Sequence, residues 1–279
     1  MEISVFLAVL AAALLHAGWN SVVKVGLDRY STVLLLACVQ ALIALPLLPF
    51  VPAPAMASWG WIGISALLHI GYKIFLVKAY DYADLSQAYP IARGVAPFLV
   101  LLFSFVYLGI GFTWSETLSV LAICGGILVL ALKGSDTGRI SGRALLFSLA
   151  TAGFTASYTL VDGLGARIAG TASGYILWMV VGDAAGMILH AIWRRGFVVN
   201  YSLRTSWKLG LSAGAMSLGS YWIAVWAFTM APIALVAALR ETSILFATII
   251  AATVIGERVN GWRWLAAVCI VCGVILVKL

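Results

Sequence analysis

Ten hydrophobic stretches fill nearly the whole chain, and each is about as long as a helix needs to cross a hydrocarbon core roughly 30 Å thick. They lie at 4–24, 32–51, 59–80, 86–107, 114–132, 144–163, 171–193, 206–229, 233–254 and 262–278. The breaks between them are short, as at Asp28-Arg29-Tyr30, at Val51-Pro52-Ala53-Pro54 and over 134–139, and leave no length for a soluble domain. Hydrophobic residues make up 63% of the 279 positions and charged residues 10%, with a mean hydropathy of +1.08. Soluble domains are about half apolar and about a quarter charged, and no water-soluble fold hides so much apolar surface. The first stretch lacks a basic leader and runs past the length of a signal core, so it reads as a retained helix. The fold class expected is an all-α integral membrane protein with ten transmembrane helices.

Cys38, Cys124, Cys269 and Cys272 all fall inside spans, which excludes a disulfide framework or a zinc knuckle. No metal and no cofactor is expected. When alternate loops are assigned to the two membrane faces, one face holds Lys24, Arg29, Lys78, Lys133, Arg139, Arg143, Arg194, Arg195, Arg204, Lys208, Arg258 and Arg263, and the other only Arg167 and Lys278. The positive-inside rule places the first face in the cytoplasm and both termini outside, in a bacterial-type inner membrane. Insertion explains the formal net charge of +7, so no nucleic-acid partner is expected.

The second half repeats the first. At a constant offset of 147, Arg93 falls on Arg240, Gly109 on Gly256 and Gly126 on Gly273. Earlier in the halves, Ala17-Gly18-Trp19 lies opposite Ala152-Gly153-Phe154, and Ala79-Tyr80 opposite Ala227-Phe228 after a one-residue slip. Five spans per half is an odd number, so the halves (1–133 and 140–279) enter the membrane in opposite orientations. Inverted repeats of this kind build alternating-access carriers, whose substrate sites lie near the midplane between the halves.

A charged group in hydrocarbon costs about 2.5 to 3.5 kcal/mol on insertion scales, so polar residues within spans are the site candidates. His16, Asn20 and Lys24 share one face of the first span, with Trp19 beside them. His69 and Lys73 follow at i,i+4, with Tyr72 adjacent and Tyr80 further along. Tyr89, Arg93 and Pro97 share a face of the fourth span, where Pro90 and Pro97 weaken the backbone ladder; Arg93 offers a carboxylate-binding fork or an ion pair with Asp81 or Asp84. The second half offers Tyr158 with Asp162 at i,i+4, then Trp178 and Asp183, the latter near mid-span and so expected to be protonated, paired or proton-coupling. Adjacent Arg240 and Glu241 cannot face each other on a helix, so Arg240 is a candidate for a substrate anion while Glu241 pairs elsewhere. Tyr221, Trp222 and Trp226 lie in the eighth span as a candidate aromatic wall, whereas Trp59, Trp61, Trp114, Trp207, Trp262 and Trp264 sit at span ends as interfacial residues.

Two five-span repeats, each closing on a Gly-containing helix, with Ile255-Gly256-Glu257-Arg258 before the last span, resemble the EamA family of the drug/metabolite transporter superfamily. In size the chain is similar to its YddG-like amino-acid exporters. Tyr89-Pro90-Ile91-Ala92-Arg93-Gly94 and Ala237-Ala238-Leu239-Arg240-Glu241-Thr242 look like a subgroup pattern. The chain departs from the commoner pattern in having no basic residue between spans 2 and 3 and Gly109-Ile110 where Gly-Glu is usual.

The function expected is a secondary active transporter that exports small metabolites, amino acids first, with the bilayer as its surroundings and protons as a candidate coupling ion. The cationic groups suit a carboxylate; the acids and aromatics suit an ammonium. Translocation of phosphorylated sugars or lipid headgroups, or multidrug export, is the alternative. An enzyme is not expected, since the chain has no H-E-x-x-H, P-loop or G-x-S-x-G string.

Overall fold

The computed structural model describes residues 1–23, 29–82, 85–133, 140–196, 207–250, 253 and 261–278. Lys24, Asp84, the 134–139 loop, Arg204 and the Ile255-Gly256-Glu257-Arg258 string lie outside these residues. Among the described residues the chain is helical throughout: α1 (Ile3–Val23), α2 (Arg29–Leu47), α3 (Trp59–Tyr82), α4 (Leu85–Val106), α5 (Trp114–Lys133), α6 (Gly142–Ala169), α7 (Ala172–Arg195), α8 (Trp207–Met230), α9 (Ile233–Arg240), α10 (Ser243–Ile250) and α11 (Gly261–Leu276). Nine helical stretches among them are long and apolar enough to cross a membrane, α9 and α10 counting together, and α11 is a shorter apolar helix. This is a multi-pass membrane fold, and its outer surface is apolar: Leu42, Leu67, Leu146 and Leu189 are each more than 60% exposed.

Local chemistry sets the helix ends. Ser141 Oγ accepts from the Ala144 amide at 3.2 Å to open α6, and Gly170, at φ 69°, closes it in the left-handed conformation a glycine adopts without strain. Thr171 then caps the Gly174 amide at 3.0 Å, so only two residues turn the chain from α6 into α7. Pro90 and Pro97 do not interrupt α4.

The stretch expected as one span from 233 is instead two half-helices. The Glu241 and Thr242 amides bond three residues back to Ala238 and Leu239 carbonyls, and the Thr242 hydroxyl takes the Leu239 carbonyl again at 2.7 Å. A local hydroxyl bond and a tightened turn thus replace the regular ladder at mid-membrane. Every residue of α9 is buried, so its polar end, Arg240-Glu241-Thr242, is delivered to the protein interior rather than to lipid.

Helices pack across the middle of the chain. α3 lies on α6 and α1 on α8; α3 also meets α7, and α2 meets α8; α2 pairs with α7, α4 with α9, and α5 with α11. The α5–α11 seam is reciprocal at the offset of 147. A Cβ added at Gly126 would come within 2.9 Å of the Ala266 carbonyl and 3.1 Å of Ile270, and one at Gly273 within 2.8 Å of the Ser119 carbonyl and 2.6 Å of Ile123. Only glycine allows the two backbones this approach.

One end of the bundle carries the N-terminus, the 48–58 connection and the α6–α7 and α8–α9 turns. There Ala55 N–H donates to the Ala169 carbonyl at 3.1 Å, and Arg167 donates to the Phe228 carbonyl (2.9 and 2.7 Å) and the Ala231 carbonyl (2.9 Å), capping α8. At the other end Arg29 donates to the Tyr80 carbonyl and lies over the Tyr80 ring at 5.1 Å, Arg195 donates to Ser31 at 3.1 Å, and Tyr30 meets His190 at 2.7 Å.

Candidate functional site

Three polar groupings occupy the interior, each made by helices from both halves of the chain. The first joins α1, α4 and α9. The Trp19 indole, a donor only, lies 3.3 Å from His16 Nδ1, which makes that nitrogen the acceptor and puts the ring proton on Nε2, 3.2 Å from the Tyr89 hydroxyl. Asn20 Nδ2 donates to the same hydroxyl at 3.3 Å and to the His16 carbonyl at 3.0 Å. A terminal nitrogen of Arg93 also stands 3.2 Å from His16 Nε2. With the proton on Nε2, donor faces donor, so this contact does not satisfy the guanidinium.

Arg93 is instead held by Glu241: its Nε is 3.0 Å from Oε2, and both residues are buried. The pair corrects the expectation of Asp81 or Asp84 as the partner of Arg93. Asp81 lies in the exposed last turn of α3, whereas the break after α9 brings Glu241 directly to α4. The two atoms are within ion-pair distance but not in hydrogen-bond alignment, and neither has an aligned partner among the described residues. Arg240, 6% exposed, has its guanidinium 4.9 Å above the Tyr221 ring and no carboxylate or hydrogen-bond acceptor among the described residues. A buried cation with only an aromatic face for company is incompletely neutralised.

The second grouping is built on Asp162 of α6, which is fully buried. Its Oδ1 accepts from Ser65 and, at 3.0 Å, from the Tyr175 hydroxyl; its Oδ2 accepts from Tyr221 and from His69 Nε2 at 3.1 Å. The His69 ring stacks on Tyr158 at 4.0 Å, and Tyr158 meets Tyr72 edge-on at 5.6 Å and Tyr221 at 6.0 Å. Four donors converging on one carboxylate stabilise its charge in a dry interior.

Lys73 of α3 and Asp183 of α7 form the third grouping, a buried ion pair. Asp183 was expected to be protonated, paired or coupling, and it is paired; Lys73, also a candidate for substrate carboxylate, is committed to it.

Tyr80 lies apart from these groupings, under Arg29 at the end of the bundle. Trp178 packs on Trp59 at 5.1 Å, and Trp222 donates to Ser173 Oγ at 2.9 Å. Trp226 is 36% exposed, so the wall expected of Trp222 and Trp226 does not form on one interior face. Trp114, Trp262 and Trp264 are exposed as interfacial residues should be, while Trp61 packs into the core. Asp162 and His69 stood out in the sequence only as members of i,i+4 pairs, and Ser65 and Tyr175 did not stand out at all. The missed signal was the ladder Ser65, His69, Lys73, which repeats every four residues on one face of α3. Among the described residues no cluster of three His, Cys, Asp or Glu side chains could hold a metal.

Comparison with known proteins agrees with a membrane carrier. No curated protein matches the chain by sequence. Among solved structures, 29 chains match in fold. One of these, described only as a crystal structure of a protein, has a TM-score of 0.77 at 19% identity over 100% of this chain and 99% of its own, a likeness that speaks for the fold alone. Residues 3–132 match the EamA-like transporter family. The first half of this multi-pass membrane protein is therefore similar to the EamA-like transporter family.

Proposed function

We propose that the protein is a secondary active transporter that exports small zwitterionic metabolites, amino acids first among them, by alternating access between two inverted five-helix halves, 1–133 and 140–279. The observation that carries this reading is the inequality of Arg93 and Arg240. They are equivalent at the offset of 147, yet at the same offset the residue equivalent to Glu241, the partner of Arg93, is Gly94. Among the described residues the second arginine thus has no acid within ion-pair distance, and a substrate carboxylate would supply one to a guanidinium fork suited to it. The Tyr221 ring lies beneath it, and Tyr158 and then Tyr72 continue the aromatic surface from there, for the ammonium and side chain.

The inverted architecture is supported by the packing pairs that exchange when the halves are exchanged and by the reciprocal glycine seam of α5 and α11. Alternating access is supported by one departure from that symmetry. α6 packs on α8, with Arg167 tying the two at the N-terminal end, while their counterparts α1 and α3 make no contact of that extent among the described residues. The basic end is the cytoplasmic one in this reading, by the positive-inside rule, and an exporter that loads substrate there would admit it between α1 and α3, the pair that packs less closely among the described residues.

A phosphorylated substrate is the second reading, since two arginines and Lys73 lie in the interior. It is less well matched, because Glu241 occupies Arg93 and Asp183 occupies Lys73, so that among the described interior cations Arg240 alone lacks an ion-pair partner for a doubly charged group. Counterflow in liposomes with a panel of labelled amino acids tests the choice. Uptake that is lost in Arg240→Met supports the amino-acid reading; no uptake across the panel, with exchange of a sugar phosphate, overturns it.

A further inference from the structure

We propose that His69, backed by Asp162, is the proton-binding site of the transport cycle, where a proton and the cationic group of the substrate exclude each other. This rests on the transporter reading above and adds to it the coupling ion and its residue.

The geometry separates a dry end from a reachable end. Asp162 is fully buried and has no free oxygen, because Ser65, Tyr175 and Tyr221 hold it together with His69. As an acceptor with hydroxyl donors on both oxygens, it fixes Nε2 as the donor nitrogen of His69. The other ring nitrogen, Nδ1, has no partner among the described residues, and 12% of the His69 side chain is exposed. One imidazole therefore links a permanently buried negative charge to accessible space, with a lone pair turned outward. A proton binds there by forming an Nδ1–H bond and leaves by breaking it, with no other bond changed.

The charges around His69 leave this as an unbalanced position. On its own helix Lys73 is cancelled by Asp183 of α7. From α4 and the break after α9, Arg93 is cancelled by Glu241. From α2 the nearby titratable group is Cys38, beside Lys73 and Asp183. Tyr72 of α3 and Tyr158 of α6 present rings, and Tyr158 is the ring stacked on His69. Among the described residues that leaves the negative charge of Asp162 and the positive charge of Arg240 without an opposite charge in an ion pair outside this site, and Tyr221 joins them, donating its hydroxyl to the first and presenting its ring to the second. A substrate carboxylate on Arg240 brings its ammonium toward the His69–Tyr158–Tyr221 rings, where Asp162, the acid bonded to both His69 and Tyr221, balances it. With His69 protonated, that charge is already spent on an imidazolium. One negative charge serving two cations in turn is an exchange: the proton enters from outside as the substrate departs, and substrate loaded from the cytoplasm expels it.

The test uses the purified full chain in liposomes containing a pH-sensitive dye, with the amino acid that gives the strongest counterflow as probe. Wild-type protein should move protons opposite to the probe, and its counterflow should fall by about fivefold or more when the medium is acidified. In His69→Gln and His69→Asn, whatever counterflow remains should be independent of pH and move no protons. Proton movement surviving in both folded variants, or counterflow without proton movement in wild type, overturns the proposal while leaving the transporter reading in place. Absence of counterflow in wild type overturns both.

Discussion

Arg93 and Arg240 stand at equivalent places in the two halves, and the protein treats them in opposite ways. Arg93 sits in an unbroken helix, is reached by Glu241 across the interface between halves, and is 2% exposed. Arg240 ends a half-helix, 6% exposed, with an aromatic ring beneath it and no ion pair among the described residues. A buried charge pair contributes little net stability, but removing one partner strands the other. The first arginine thus belongs to the structure that joins the halves, whereas the second is the one proposed above to meet the substrate carboxylate.

The comparison breaks most visibly at Arg93. Arg93→Met leaves Glu241 buried without a counter-charge and should cost about 3–5 kcal/mol, read by chemical denaturation in detergent; adding Glu241→Leu should recover most of that loss. If Arg93→Met melts like wild type, the pair is not what holds the halves.

Next in size are the glycines of the α5–α11 seam, where the two halves should behave alike. Gly126→Leu and Gly273→Leu each push a side chain into a facing backbone carbonyl and should each cost about 1–3 kcal/mol. A cost at one glycine and none at the other would contradict the reciprocal packing.

Arg240→Met sharpens the contrast from the other side. The substitution removes an uncompensated buried cation at similar volume, so stability should stay level or rise by at most about 1 kcal/mol while transport is lost. The smallest effect is at Trp226, whose ring is turned outward: Trp226→Ala should change stability by no more than about 0.5 kcal/mol and leave counterflow intact.

Most of the helices were legible because hydrocarbon imposes one period and one length on them, and the ends of α3, α5 and α7 fall within a few residues of the apolar runs. The break after Arg240 was not legible, since 233–254 has the length of one span with no Pro or Gly to mark a break, and the local device is a threonine hydroxyl competing for a carbonyl. Within the site, the sequence marked Arg93, Arg240, Glu241 and Asp183 because charge in lipid is conspicuous. It could not pair them: Arg93 with Glu241 and Lys73 with Asp183 are contacts between halves, set by helix packing that no spacing along one helix reports. Asp162 was marked only as the i,i+4 neighbour of Tyr158 for a related reason, as its place in the site comes from donors on three other helices, α3, α7 and α8.

The assignment of Arg240 to the substrate carboxylate is tested most directly by counterflow of one amino acid in competition with its own decarboxylated amine, in wild type and in Arg240→Met. The account predicts that wild type is inhibited by the amino acid and not by the amine, and that Arg240→Met takes up neither. Equal inhibition by both compounds in wild type, or undiminished uptake of the amino acid by Arg240→Met, would contradict it.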